Sequence, residues 1–196
     1  MTLKFNRTDK LILFLSLTIV IVFSYFLYDD SFLFHNRESK NSKIGKINKA
    51  DNDVRLKASD SFTWNPVKYS EVVFERYSVF TGKKSQTQID LIDGSKIFLN
   101  ENSLVTLVTK NGHLELNLRY GDIKTEIQAT SKLELKAGSQ KILLIKEKGS
   151  STLEIKKPKF GLTKVKLVSG KVSLKHSTTA QTEFLTKDQT VVVRPL

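Results

Sequence analysis

The side chains that could catalyse a reaction or bind a metal ion are few in this sequence and widely separated. The chain has no cysteine, which excludes disulfides, cysteine-liganded zinc, iron–sulfur ligation and thiol catalysis. Its three histidines, His35, His113 and His176, are too far apart in sequence to predict a metal site. His113 and Glu115 share one face of a predicted strand, but no third ligand can be identified. We therefore interpret them as part of a solvated strand face.

A hydroxyl nucleophile is also not predicted. Ser95 and Ser103 lie near Asp93 in sequence, but no histidine can be assigned beside them as a general base, and Asp93 is better explained by a turn. Four aromatic residues could line a ligand groove, although core packing is the favoured interpretation: Trp64, Phe74, Tyr77 and Phe80. We expect a protein that is not an enzyme, without catalytic, metal-binding or cofactor-binding residues and without a cofactor. Its binding residues cannot be identified from the sequence.

An apolar segment near the N-terminus is predicted to cross a membrane. Residues 11–28 carry no charge, and at about 1.5 Å per residue a helix of this length spans roughly 27 Å, enough for the hydrocarbon core. A cleavable signal peptide is the alternative, but no Ala-x-Ala pattern follows the segment. Lys4, Arg7 and Lys10 precede the segment and Asp29 follows it, which predicts that residues 1–10 form a cytoplasmic tail. We expect a single-pass protein of the cell inner membrane with a periplasmic C-terminal domain.

The rest of the chain is predicted to consist of a polar tether, residues 29–57, and a domain of short strands, residues 58–196. The tether is rich in Asn, Lys, Ser and Asp and sustains neither a helical nor a strand period, although an ordered extension of the domain is the alternative. In the domain, short runs of alternating apolar and polar residues recur roughly every 8–12 residues. This pattern predicts an all-β fold: an antiparallel sandwich, a jelly roll or a short solenoid-like domain.

Turn residues separate the predicted strands. Asp93-Gly94 lies between two alternating runs and predicts a hairpin with a type I′ turn, because the pair supplies positive φ values at low cost. Asn111-Gly112 and Ser169-Gly170 are further turn signals, and Tyr120-Gly121 is expected to end a strand. The Leu, Ile and Val residues of these strands are numerous enough for one continuous core.

Several of these elements together resemble a FecR-like domain. The matching residues are, in chain order, Trp64, Thr81-Gly82, Asp93-Gly94-Ser95, Asn102-Ser103 and Gly121. KVKLVSGKVSLK and FLTKDQTVVV resemble two later elements of the family, with Asp188 where glycine is usual. The resemblance implies the family's β fold more than an activity. Family members that regulate sigma factors carry a cytoplasmic anti-sigma domain before the span, and about ten residues are too few to form one, so signalling of that kind is not expected.

The chain has a net charge of +12, from 32 Lys and Arg against 20 Asp and Glu. Nucleic-acid sites favour Arg interleaved with aromatic residues, whereas Lys predominates here and is spread over many strands, so no nucleic-acid partner is expected. Solvation of the strand faces is the favoured explanation of the lysine excess. Weak contact with anionic lipid or envelope polysaccharide is the alternative.

These observations predict a membrane-anchored, extracytoplasmic FecR-like binding or scaffold module without catalytic activity. Its expected partners are the inner membrane, through residues 11–28, and an unidentified protein of the cell envelope. A carrier similar in plan to the LptC family of lipopolysaccharide-transport proteins is the alternative, because that family also has a short tail, one span and a periplasmic β-jellyroll. The interior distinguishes the two hypotheses: a lipid carrier needs an open apolar groove, and a scaffold needs a closed core.

Overall fold

The structure is a computed structural model of the 196-residue chain. It describes residues 6–28, 42–110, 113–128, 133–137, 140–146, 149–176 and 182–193. The chain divides into two units, residues 1–40, which contain one helix in their described part, and residues 41–196, which contain the strands.

Helix α1 (Arg7–Tyr28) contains the apolar segment predicted from the sequence. Its first turn is capped locally: Asn6 Oδ1 accepts a hydrogen bond from the Arg7 N–H (3.0 Å), and Asp9 Oδ2 accepts one from the Asn6 N–H (3.0 Å). Thr18 Oγ1 donates to the Phe14 carbonyl oxygen (2.7 Å), so this hydroxyl is satisfied inside the helix, as an apolar medium requires. Residues 7–25 are long and apolar enough to cross a membrane. The expectation of an N-terminal helix that is able to span a membrane is therefore confirmed.

The second unit contains sixteen strands within its described residues. The first eight are β1 (Lys43–Asp51), β2 (Val54–Lys57), β3 (Asn65–Pro66), β4 (Val72–Phe74), β5 (Ser78–Thr81), β6 (Gln86–Leu91), β7 (Lys96–Leu99) and β8 (Ser103–Lys110). The other eight are β9 (His113–Ile127), β10 (Leu133–Ala137), β11 (Gln140–Lys146), β12 (Ser151–Lys157), β13 (Thr163–Ser169), β14 (Val172–His176), β15 (Thr182–Leu185) and β16 (Thr190–Val193). Apart from the parallel pair β9–β10, the described neighbours run antiparallel, which confirms the predicted all-β, antiparallel fold class.

The strands form two sheets that share the long strand β9. In sheet A the order is β4-β1-β6-β7-β9-β12-β13-β16, and in sheet B it is β3-β2-β5-β8-β9-β10-β11-β14-β15. Residues 113–120 of β9 pair within sheet B, and residues 121–127 pair within sheet A. One strand therefore fixes the register of both sheets.

Strand β9 passes from one sheet to the other at Gly121, where the sequence predicts the end of a strand. Gly121 has a φ of 113°, which residues with a side chain rarely adopt. A Cβ at this position would overlap Ser103 on strand β8. The predicted strand end is wrong because the glycine bends the strand without ending it. Residues of β9 before and after the bend are paired with neighbouring strands. We call this region, with Thr81, Gly82, Ser103 and Gly121, the β9 corner.

The inward-facing side chains of both sheets form one hydrophobic core. The largest fully buried side chains come from seven strands: Ile47, Ile89, Ile97, Leu99, Leu107, Leu116, Leu118, Ile123, Leu135, Leu153 and Ile155. Each lies on a strand in which buried and outward-facing positions alternate. Full burial of a side chain of this size contributes about 1.5–3 kcal/mol, so this cluster is the main source of stability. The predicted continuous core is present.

The predicted boundary between tether and domain at residue 57 is wrong. Strand β1 lies inside sheet A between β4 and β6, and β2 pairs with β5 in sheet B. Ile44, Ile47, Val54 and Leu56 are buried in the core. These strands are hard to recognise in the sequence because their apolar residues are single and separated by Lys, Asn and Asp, and their partners lie far along the chain. The division of the chain falls at residue 40, and residues 29–41 lie outside the described part.

The hairpin at Asp93-Gly94 is present, but its turn is not the predicted type I′. Gly94 has a φ of 84°, whereas Asp93 does not have a positive φ. The Gly94 N–H donates to the Leu91 carbonyl oxygen (3.1 Å), and the Leu91 N–H donates to the Ser95 carbonyl oxygen (2.9 Å). This is a three-residue loop in which a type I turn precedes a left-handed glycine. Asp93 Oδ1 accepts the Ser95 N–H (2.9 Å), so the aspartate stabilises the turn through its side chain.

The other two turn signals differ in outcome. Gly170 has a φ of 92°, so Ser169-Gly170 is a turn between β13 and β14 as predicted. Asn111-Gly112 lies outside the described residues.

Candidate binding groove on the outer face of sheet A

The outer face of sheet A forms a groove of about 570 Å³ that extends from β1 to β16. Side chains along each strand alternate between the core and this face, so every second residue of a strand contributes to the groove. The lining residues include five lysines and two carboxylates, together with Gln86, Gln88, Asn100 and Phe98. Residues with charged or amide side chains therefore predominate in the lining, and there is one aromatic ring among the outward-facing side chains.

Strand register aligns one row of these side chains across the sheet. Successive cross-strand partners in this row are Gln88, Phe98, Lys124, Glu154, Lys166 and Thr190. Directly opposite residues of an antiparallel pair have Cβ atoms about 4.5–5.5 Å apart. The row thus brings together side chains from six strands in a fixed order, which we call the central row.

Phe98 is the aromatic residue of the central row. The Lys124 Nζ lies 5.6 Å from the centroid of its ring, at a distance typical of a cation–π contact. Opposite Phe98, the Gln88 Nε2 donates to Asp90 Oδ1 (2.7 Å). This bond uses only one of the two amide hydrogens, so Gln88 keeps hydrogen-bonding capacity beside the ring. The groove can therefore offer an apolar surface and an amide at the same point.

Most charges of the groove are compensated by ion pairs. The Lys156 Nζ lies 2.8 Å from Asp122 Oδ2, and this hydrogen bond raises the pKa of Lys156 above its ordinary value. At the other end, Lys49 lies 3.0 Å from Asp51. A hydrogen bond from Gln86, together with Lys49, lowers the pKa of Asp51. Exposed pairs of this kind add little to stability, so their main effect is on the potential that a ligand meets.

Lys164 differs from the other lysines of the groove. It lies directly opposite Lys156 on the neighbouring strand, a repulsive position for two like charges. Among the described residues, no carboxylate lies within ion-pair distance of Lys164. Glu154 likewise forms no ion pair with any described residue. A ligand that brings an anionic group to Lys164 would therefore meet an uncompensated cation.

His113 and Glu115 lie in the half of β9 that belongs to sheet B, outside the groove. Glu115 is only 7% exposed, so the predicted solvated strand face is wrong for this residue. Glu115 is flanked by Val108 on β8 and by Glu134 on β10. Because β9 has a paired strand on each side here, the neighbouring side chains cover Glu115 more than the sequence pattern indicates. Among the described residues, no group of three His, Cys, Asp or Glu side chains could hold a metal ion.

The serines considered as nucleophiles lie at two separate places and are bonded to backbone groups. Ser95 Oγ accepts the Gln128 N–H (3.1 Å), next to the turn that Asp93 stabilises. Ser103 Oγ accepts the Asp122 N–H (3.1 Å) in the β9 corner. Both hydroxyls therefore have structural roles, and the interpretation of Asp93 as a turn residue is confirmed.

Thr81 completes the hydrogen-bond network of the β9 corner. Its side chain is fully buried, its Oγ1 donates to the Asn100 carbonyl oxygen (2.6 Å), and the same oxygen accepts the Ser103 N–H (3.0 Å). A Cβ at Gly82 would approach Asp53 closely. The short polar residues that carry the family resemblance therefore hold the chain where it passes between the sheets.

The four aromatic residues form two packing pairs, and none of them lines the groove. The rings of Trp64 and Phe80 meet edge to face with centroids 6.0 Å apart, and both side chains are half-buried. The rings of Phe74 and Tyr77 lie 5.5 Å apart; Tyr77 belongs to the core and Phe74 packs against it. Core packing therefore holds for the second pair, whereas the first pair is half-exposed.

Sequence reasoning missed the groove. Its residues do occupy alternate positions, as in Gln86 and Gln88 or Lys164 and Lys166, but so do polar residues on any solvated strand. What distinguishes them is their alignment across strands, and this depends on pairings between distant segments. A signal for the groove therefore exists only once the strand order is known.

One departure from the family pattern has a structural explanation. Asp188, where glycine is usual, has a φ of 64°. Glycine adopts this left-handed conformation without steric cost, and aspartate is among the residues that tolerate it best. The turn between β15 and β16 is therefore kept despite the substitution.

Comparison with known families supports the resemblance. The model of the family described as FecR protein matches residues 77–148, less than half of the chain. The match begins just before β5 and ends after β11, so it includes the β9 corner and the Asp93 hairpin. Searches of the curated proteins and of the solved structures found no match. The strand-containing unit of this chain therefore carries a FecR-like domain.

Proposed function

We propose that this chain is a membrane-anchored, extracytoplasmic FecR-like module that binds a protein partner of the cell envelope through the groove of sheet A. The family match suggests a periplasmic sensing or signalling module. In this proposal, helix α1 holds the module at the inner membrane, with residues 1–10 in the cytoplasm and the strands in the periplasm. Binding, without catalysis, is its function.

The observation that carries the proposal is the combination of groups in the groove. Phe98 supplies an apolar contact, Gln88 supplies hydrogen-bonding capacity, and Lys164 supplies an uncompensated charge. Binding sites typically combine an apolar centre with a few polar groups that fix orientation. These groups lie on hydrogen-bonded strands, so a partner would not have to order a loop, and the entropic cost of binding would be small.

The charge pattern favours a polypeptide over a uniformly charged polymer. Lys124, Glu154 and Lys166 alternate in sign along the central row. A polypeptide with the opposite alternation can place a complementary charge at each position, whereas a polyanion would meet repulsion at Glu154. The expected partner segment is therefore of mixed charge, with an apolar residue opposite Phe98.

The position of the groove supports a scaffold rather than an LptC-like carrier. In the described residues, Leu, Ile and Val side chains fill the space between the inner faces of the two sheets. The groove of about 570 Å³ is on the outer face of sheet A, and ten of its sixteen lining residues have charged or amide side chains. A lipid carrier needs an apolar groove, so we do not propose that function.

A photocrosslinking experiment tests the proposed binding site. A benzophenone amino acid replaces Phe98 in the full chain, and intact cells are irradiated; we expect one discrete protein adduct. The matched control is the same replacement at Phe62, which is 99% exposed and lies outside the groove. We expect the adduct at position 98 to be lost when Lys164→Glu is added. Equal adducts at both positions, or an adduct that survives Lys164→Glu, would contradict the proposed site.

The proposed topology is tested separately with C-terminal fusions to the full chain. Alkaline phosphatase folds into an active enzyme outside the cytoplasm, because it needs disulfides. We expect phosphatase activity from this fusion and none from a control in which Lys4, Arg7 and Lys10 are replaced by glutamate to reverse the charge bias. An inactive wild-type fusion would show that the strands are not extracytoplasmic.

A further inference from the structure

The tip of the β12–β13 hairpin combines exposed apolar side chains with positive charge. This hairpin tip, residues 157–162, contains Phe160, which is 93% exposed, and Leu162, which is 41% exposed. Lys157 and Lys159 lie in the same six residues. A single exposed apolar residue is ordinary on a protein surface, but a ring at a hairpin end surrounded by lysines is a specific combination.

The positive charge of the hairpin tip is not compensated locally. No Asp or Glu occurs between Glu154 and Glu183, a stretch that contains seven lysines. Asp122, which lies opposite Lys156 on β9, is already bound by that lysine (2.8 Å). Arg119 adds a further cation beside the tip: burial lowers the pKa of Lys157, and the charge of Arg119 lowers it further. An anionic surface that approaches this end of sheet A therefore meets a field of one sign.

The hairpin tip is held in place by contacts with β9. The Lys157 Nζ donates to the Leu118 carbonyl oxygen (2.8 Å), and the Lys159 Nζ lies 5.0 Å from the centroid of the Tyr120 ring. Gly161 has a φ of 120°, and a Cβ there would lie 3.3 Å from Pro158, so the turn is tight. The fold therefore presents Phe160 at a defined position.

The other exposed large apolar side chains that lie in loops or next to a strand end differ in charge environment. Four of the five in the described residues have a carboxylate within two residues in sequence: Phe62 has Asp60, Tyr69 has Glu71, Ile92 has Asp93 and Phe184 has Glu183; the fifth, Val192, has none. For Phe160 the closest carboxylate in sequence is Glu154, six positions earlier. A carboxylate beside an apolar residue opposes contact with an anionic surface, and the hairpin tip lacks this obstacle.

We propose that the hairpin tip docks on the surface of an anionic phospholipid bilayer, with the Phe160 ring at headgroup depth and the surrounding lysines against lipid phosphates. A soluble polyanion could satisfy the lysines, but only a bilayer also offers an apolar phase for the ring. Two apolar residues are too few to anchor a protein by themselves. The contact therefore requires that helix α1 already holds the chain at the membrane, so it rests on the proposed anchoring.

The natural absence of cysteine allows a direct test. Phe160→Cys in the full chain is labelled with an environment-sensitive fluorophore, and the protein is reconstituted into vesicles of phosphatidylglycerol and phosphatidylethanolamine. We expect a blue shift of the emission and quenching by lipids that carry a nitroxide near the headgroup. The control is Phe62→Cys with the same label, for which we expect neither effect. Vesicles of phosphatidylcholine alone should weaken both effects at position 160.

Charge variants sharpen the test. Adding Lys159→Gln should lower the equilibrium constant for contact about fivefold, because one cation near the surface is lost. Lys68→Gln, at an exposed position outside the hairpin tip, should leave it unchanged. Absence of quenching at position 160, or equal quenching at positions 160 and 62, would overturn the proposal. Retention of the chain in the vesicles after alkaline carbonate extraction is measured in parallel. A retained chain with an unquenched label refutes the docking alone. An extracted chain refutes the anchoring and the docking together.

Discussion

The β9 corner and the groove of sheet A meet on the same strand, yet their polar residues are used in opposite ways. In the corner, Thr81 and Ser103 are buried, and their hydroxyls bond to backbone groups. In the groove, Lys124 and Glu154 face solvent and other side chains. The corner lies within the family match, and in this chain its residues hold one strand where it passes between two sheets. Substitutions in the corner should therefore change stability, and substitutions in the groove should change binding.

Gly121→Ala should have the largest effect on stability. A Cβ would overlap Ser103, and the φ of 113° adds strain, so we expect a loss of about 3 kcal/mol or more in the free energy of unfolding. The matched control is Gly149→Ala, where φ is 80° but nothing lies within 4 Å of the new Cβ. We expect about 1 kcal/mol there. Urea unfolding of both variants measures the difference, and equal losses would mean that the corner is not sterically closed.

Ser103→Ala should cost less than the glycine variant. It removes the acceptor of the part-buried Asp122 N–H and the hydroxyl of a serine that is itself fully buried, so we expect a loss of about 1–2 kcal/mol. Ser78→Ala is the control, because that hydroxyl bonds to the Thr106 hydroxyl at a half-buried position and should cost under about 1 kcal/mol. Thermal unfolding followed by circular dichroism compares the two. If Ser78→Ala costs more, the corner network is less important than its burial indicates.

Gly94→Val should lower stability by about 1–2 kcal/mol, because a β-branched side chain is disfavoured at a φ of 84°. Gly94→Asn should be milder, since asparagine tolerates the left-handed region. The new Cβ would also lie 3.3 Å from the Gln128 side chain, which can move. Thermal unfolding of the three proteins tests this order, and equal stability of Gly, Asn and Val would show that the turn is misassigned. Loss of partner binding at unchanged stability would instead make this loop a recognition site.

Lys164→Gln should change stability by less than about 0.5 kcal/mol, because the side chain is exposed and has no ion pair among the described residues. The same variant should reduce the crosslinked adduct at position 98. Urea unfolding and the adduct yield are measured on the same preparation. A large loss of stability would show that this part of the groove is structural, as the corner is.

Two neighbouring lysines should give small pH effects of opposite sign. Burial and Arg119 lower the pKa of Lys157 below 10.5, so the folded state releases this proton first, and stability should rise with pH in the window just below 10.5. The Asp122 hydrogen bond raises the pKa of Lys156 above 10.5, so its contribution is present below 10.5 and is lost as pH rises through the higher value. Urea unfolding of Lys157→Met and Lys156→Met between pH 8 and 11 should remove these two slopes separately. The same slope in both variants would contradict the assigned causes.

The parts of the fold that follow from local pattern could be predicted from the sequence. The apolar helix, the alternating strands and the left-handed glycines at Gly94 and Gly170 depend on residues that are close in sequence. The predicted type I′ turn at Asp93 is wrong, because an Asp-Gly pair occurs in two-residue and in three-residue loops alike.

The parts that depend on distant pairing could not be predicted. The sequence pattern places strand β1 in the tether, because its buried residues, Ile44 and Ile47, are isolated in the sequence and are covered only when β6 and β4 flank them. The groove was missed for the same reason: Phe98 and Lys166 belong to one row only through β9 and β12. Register between strands, which short windows do not contain, decides both.

The shared strand β9 also determines which kinds of genetic change the protein can tolerate. A substitution in β9 alters one side chain, but a one-residue insertion reverses the inside and outside positions of all residues on one side of it. Because residues 113–120 serve sheet B and residues 121–127 serve sheet A, an insertion on either side of Gly121 would expose core residues in one sheet while the other keeps its pattern. A compensating deletion in the same half of the strand would be needed to restore the affected sheet. Lineages of this chain should therefore vary in length at hairpin loops and keep the spacing around Gly121 constant.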